Sequence, residues 1–95
     1  MIELHIFLEP LPGQEGALEN LYLDAYLPGI AVQRGFLRST LLKKRDALRE
    51  YQIQIAFASE ELRLLWVASP EHQAAWPRIV ALCSRVSWSG FDTIA

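Results

Sequence analysis

Residues 2–9 alternate almost strictly, with Ile2, Leu4, Ile6 and Leu8 on one side and Glu3, His5, Phe7 and Glu9 on the other. A period of two predicts a strand with one covered face. Pro10-Leu11-Pro12-Gly13 ends it. From about Gln14 to Leu27 the period lengthens, with Leu18, Leu21, Tyr22 and Ala25 at i, i+3, i+4 and i+7. That spacing predicts an amphipathic helix. Pro28-Gly29 interrupts the helix, and a short extension reaches Gln33 before Arg34-Gly35 stops it.

Residues 36–43 predict a second strand. Residues 51–58 alternate again, Tyr51, Ile53, Ile55 and Phe57 against Gln52, Gln54 and Ala56. The charged segment from Lys43 to Glu50 joins the two as a hairpin. Ser59 is a suitable N-cap, Glu60 and Glu61 suit a first helical turn, and the helix extends to about Ala68. Ser69-Pro70-Glu71 then restarts it, setting His72, Trp76, Ile79, Val80 and Cys83 along one face. Val86 to Ile94 predicts a fourth strand, with Gly90 as a bulge.

The order β-α-β-β-α-β is the α+β, ferredoxin-like arrangement: a four-stranded antiparallel sheet with two helices on one face. The apolar sets of strands one and three belong beneath those helices. The opposite face then shows His5, Phe7, Gln52, Gln54 and Ala56, and Trp88 is assigned there as well. Such a surface is too polar for a core and too aromatic for an ordinary wet face. It predicts a homodimer packed through the sheet face opposite the helices.

Composition narrows the function. Ninety-five residues make one domain, 1–95, and 52% hydrophobic content excludes disorder. A formal charge of −2 argues against nucleic acid as a partner. One cysteine, Cys83, excludes a disulfide framework and multi-cysteine metal sites, so no metal is expected. The longest run without Asp, Glu, Lys or Arg is nine residues, which predicts no membrane span. With no visible secretory signal, the expectation is a cytoplasmic protein.

Few residues carry chemistry. The glycines are scattered at breaks rather than gathered in a phosphate loop, and the third strand has no glycine of the RNA-binding kind. Lys43-Lys44-Arg45 keeps a hairpin soluble. His72 falls at the third position of the restarted helix, where the dipole disfavours the imidazolium and leaves a neutral base. A neutral histidine beside an apolar slot suits proton abstraction from a phenol or weakly acidic carbon. The plainer alternative is a histidine bonded to its own capping turn. Trp66 and Trp76 either fill the core or line a pocket, and Tyr22 and Tyr26 straddle the core boundary. Arg38 is a candidate contact for an anionic substrate group, or for a carboxylate across a dimer. His5 belongs to the opposite face, and Cys83 reads as a small buried hydrophobe.

The segment Phe57-Ala58-Ser59-Glu60-Glu61 through Trp66-Val67-Ala68-Ser69-Pro70-Glu71-His72-Gln73-Ala74-Ala75-Trp76 resembles the antibiotic biosynthesis monooxygenase family, of the dimeric α/β-barrel superfamily. Leu11-Pro12-Gly13 and Gly35-Phe36-Leu37 also fit. The resemblance implies a dimeric barrel and an oxygenase needing neither metal nor flavin, hence no cofactor. In such enzymes a small electron-rich phenol, quinol or anthrone is deprotonated in an apolar pocket, and its anion reduces dioxygen. Ile6, Tyr22, Trp66 and Trp76 would supply that pocket and His72 the base. Haem-degrading members use an Asn on strand one, a Trp on helix two and a His ten residues later. Trp66 matches the Trp, but Ile6 and Trp76 stand at the other two positions, which disfavours haem degradation. The alternatives are a non-catalytic dimeric ligand-binding domain and a proton-transfer enzyme using the same histidine.

Overall fold

A computed structural model describes all 95 residues. Strand β1 (Ile2–Pro10) is followed by a long helical stretch, strand β2 (Phe36–Lys43), strand β3 (Tyr51–Phe57), helices α3 (Glu60–Val67) and α4 (Pro70–Ala81), and strand β4 (Cys83–Asp92). The strands form one antiparallel sheet in the order β2-β3-β1-β4. This is the α+β ferredoxin-like arrangement expected from the alternation.

The two predicted N-caps form. Ser59 Oγ accepts from the Leu62 N–H at 3.2 Å, and Ser69 Oγ accepts from the His72 N–H at 3.2 Å. Each satisfies a donor that the first helical turn leaves without a partner.

Pro28-Gly29 does not interrupt the first helix. Helix α1 (Glu15–Leu21) runs into a π turn over Tyr22–Tyr26, which continues directly as α2 (Leu27–Ala31). Proline has no N–H to give to the carbonyl four residues back, and its ring collides with that carbonyl in α geometry. The widened turn, with the Leu27 N–H bonding to the Tyr22 carbonyl, makes room for Pro28 without ending the helix.

Strand β4 begins at Cys83, three residues before the predicted start at Val86, so Cys83 belongs to a strand and not to the face of α4. Gly90 is not a bulge, since it pairs with Leu4 in unbroken register. The irregularities lie at Glu9/Pro10 and at Phe36/Arg38. Trp88 also corrects the sequence reading. It pairs with Ile6 and therefore shares the helix-covered face, because directly opposed residues point the same way.

Leu4, Ile6, Leu8, Ile53, Ile55 and Phe57 are buried beneath Leu18, Tyr26, Ile30, Trp66 and Ile79 of the helices. On the other face Phe7 and Phe91 are 47% and 49% exposed, His5 rests on Phe91 at 4.6 Å between ring centroids, and Gln54 bonds Gln52. No helix is long and apolar enough to cross a membrane.

Candidate functional site

The helices do not fill the space over the outer half of the sheet. Between β1 and β4 below and α3 and α4 above lies a cavity of about 440 Å³, within the usual range for small-molecule sites. Its floor is Leu4, Ile6 and Trp88, while Tyr26 contributes from the π turn. Arg63, Leu64, Trp66 and Val67 of α3 and His72 and Trp76 of α4 complete the lining. The wall is overwhelmingly hydrocarbon and aromatic, with Tyr26, Arg63 and His72 carrying its side-chain hydrogen-bonding groups other than the indole N–H donors.

Four of the residues named from sequence, Ile6, Trp66, His72 and Trp76, line this one space. The Ser69 cap fixes the start of α4 and sets His72 facing back towards α3. Its imidazole meets the Trp66 indole edge-on, with centroids 4.6 Å apart, and lies nearly parallel to Trp76 at 6.1 Å. Trp66 itself is buried and stacks on Phe57 at 5.5 Å, which anchors the aromatic wall to the sheet.

The electrostatics keep His72 neutral. Burial lowers its pKa below the ordinary histidine value, and the nearby Arg63 guanidinium lowers it further. The Val67 carbonyl acts in the opposite direction, although the buried Nδ1 has no partner in good hydrogen-bond geometry. The predicted neutral ring is therefore obtained chiefly through loss of water rather than through the helix dipole. No carboxylate forms an ion pair with the imidazole to orient it.

Tyr22 and Arg38 are not part of this lining. Tyr22 lies on the β2 side of the helix, its hydroxyl sharing a 2.7 Å hydrogen bond with Ser39 Oγ. Tyr26, four residues on, lines the cavity in its place, 6.1 Å from Trp66 and 6.3 Å from Trp76. Its hydroxyl is buried without a partner, and burial followed by the proximity of Tyr22 raises its pKa. Arg38 pairs with Ala56 in the β2–β3 register, which puts it on the opposite face of the sheet, where it forms a 3.1 Å ion pair with Glu3.

The cation that does reach the cavity is Arg63, missed from the sequence. Its Nε donates to Glu60 Oε2 at 2.7 Å and its Nη2 to Glu60 Oε1. The guanidinium carbon lies 5.9 Å from the centre of the Trp88 ring. The signal was legible in the spacing, since Arg63 is one turn before Trp66 on the same helix and one turn after Glu60. Trp88 was missed because its face depends on the β1–β4 register, which local alternation does not supply.

Comparison with known proteins agrees with this architecture. SnoaB, a cofactor-independent oxygenase from Streptomyces nogalater, superposes with a TM-score of 0.85 at 19% identity, over 99% of this chain and 94% of that one. Rv0793 from Mycobacterium tuberculosis gives 0.86 at 17% identity, over 99% and 95%. A conserved protein from Methanosarcina mazei gives 0.86 at 9% identity, over 95% and 89%. At these identities the likeness is one of fold. No curated protein sequence matches the chain. The family model for antibiotic biosynthesis monooxygenase matches residues 1–78, and the chain belongs to that family.

Proposed function

We propose that this protein is an oxygenase that needs neither metal nor flavin and acts on a small electron-rich aromatic, phenolic or quinol substrate. The observation that carries the reading is a histidine set between two indoles in an apolar cavity. Family membership and the fold shared with a cofactor-independent oxygenase support it.

In this mechanism the flat substrate lies against Trp66 and Trp76, and the His72 imidazole removes a proton from its phenolic oxygen or activated carbon. The apolar wall raises the energy of the resulting anion relative to water, which favours electron transfer to dioxygen. One electron passes to dioxygen, giving a substrate radical and superoxide, and the two combine through a new C–O bond. The imidazolium returns its proton to the peroxide. Where the carbon began as a methylene, loss of water leaves a carbonyl: one oxygen atom enters the product and the other leaves as water.

The test is oxygen uptake by purified protein with a panel of naphthols and naphthoquinols. Turnover should fall at least a hundredfold in His72→Ala, consistent with loss of a general base. Unchanged turnover in both His72→Ala and Trp66→Phe would overturn the site. Oxygen-independent isomerisation of the same panel would point instead to proton transfer alone. The lack of a hydrogen-bonded orienter on Nδ1 favours a second reading, a non-catalytic ligand-binding domain, which predicts saturable binding without oxygen uptake.

The aromatic face of the sheet, with half-exposed Phe7 and Phe91, supports a homodimer packed through that face.

A further inference from the structure

Arg63 is the one permanently charged side chain lining the cavity, and no carboxylate shares the wall with it. Its side chain is only 11% exposed, so its charge acts across a poorly hydrated space. Glu60 fixes the guanidinium by holding Nε and Nη2, and this leaves Nη1 without a protein partner. The Trp88 ring centre lies 5.9 Å from the guanidinium carbon. The result is a positioned cation with a free donor at the edge of an aromatic slot.

A purely hydrocarbon ligand would gain nothing from this arrangement. It would cover the free guanidinium donor without replacing the water it displaces, which costs free energy. A ligand with an ionised oxygen would pair with it. We propose that the cavity selects flat aromatic ring systems that carry a carboxylate, with Arg63 as the counter-ion and specificity-determining residue. The proposal rests on the cavity being the ligand site, as in the functional reading above. Arg63 has a second effect. Its charge adds a smaller contribution to the burial that already lowers the proton affinity of His72.

Binding of a matched pair of probes, 2-naphthoate and its neutral isostere 2-naphthamide, measured by titration calorimetry at pH 7.5 and low salt, tests this. The native protein should bind the carboxylate at least tenfold more tightly than the amide. That preference should shrink to threefold or less in Arg63→Met and be partly kept in Arg63→Lys, while amide affinity changes little. Equal affinity of the two probes for native protein overturns the proposal but leaves the cavity as an aromatic site. So does a carboxylate preference that survives in Arg63→Met with native-like circular dichroism. If neither probe binds, the cavity reading itself falls, and the charge selectivity falls with it. The native-protein comparison needs no substitution, so a variant that fails to fold does not rescue the idea.

Discussion

The His72 imidazole meets the Trp66 indole with ring planes at 84°, while Trp76 lies at only 19° to the same imidazole. This setting removes the imidazole partly from water. That desolvation sets how the protein responds to acid.

Above about pH 6.5 the histidine is neutral in both folded and unfolded chains and contributes no pH dependence. Burial lowers its folded pKa, so as pH falls below 6.5 the unfolded chain takes up the proton first. Stability contributed by the neutral ring is therefore lost as pH falls from 6.5 towards the depressed folded value. Thermal denaturation between pH 8 and pH 5 should show a decline that is smaller in His72→Leu. The acid limb of any turnover should lie below 6.5 for the same reason. A steeper decline in the variant would mean that the ring is not the responsible group.

Tyr26 should respond in a way opposite to most core substitutions. Its buried hydroxyl has no hydrogen-bond partner, and such a group costs about 1–3 kcal/mol. Tyr26→Phe removes that cost while keeping the ring against Trp66 and Trp76. The urea midpoint should rise by the equivalent of about 1 kcal/mol. A lower midpoint would reveal a bound water or another partner for the hydroxyl.

Two glycines separate backbone strain from collision. Gly13 and Gly35 both have left-handed backbone, with φ of 82° and 84°. A Cβ on Gly13 meets nothing within 4 Å, whereas one on Gly35 comes within 2.5 Å of Leu62 Cδ1 and 2.9 Å of its Cβ. Gly13→Ala should cost about 1–2 kcal/mol, the usual left-handed penalty. Gly35→Ala should cost that and roughly 1–3 kcal/mol more for the displaced α3 packing. Chemical denaturation of the two variants measures the difference, and equal losses would show that Leu62 yields freely.

The open sheet face makes the fourth prediction. Native protein should sediment as a dimer, and Phe91→Glu should weaken that dimer at least tenfold. Placing a carboxylate beside His5 and directly opposite Glu3 would bury like charges in the interface. A native monomer at micromolar concentration would refute the assembly.

The fold was legible because its strands carry period-two alternation and its helices carry explicit caps at Ser59 and Ser69. The tryptophan–histidine cluster was legible because Trp66, His72 and Trp76 lie close together in sequence on helices whose starts were marked. What escaped depended on longer-range geometry. The π turn at Pro28 follows from a steric conflict that the helix resolves instead of ending, and it accompanies the appearance of Tyr26, not Tyr22, in the cavity wall. Trp88 was placed on the wrong side, and Arg38 was left between two readings, because register across strands decides which face an edge residue takes.

The pairing of β1 with β4 has a consequence for how the protein comes into being. Ile2 lies opposite Asp92, so β1 waits for β4, made some eighty residues later, before its outer edge is covered. Until then a nascent chain exposes an apolar strand with free backbone donors and acceptors on that side, a template for pairing with another chain. The cavity floor is also unfinished, because Trp88 arrives with β4. A compound that fits the cavity should therefore favour the closed sheet over chains in which β4 has yet to pair.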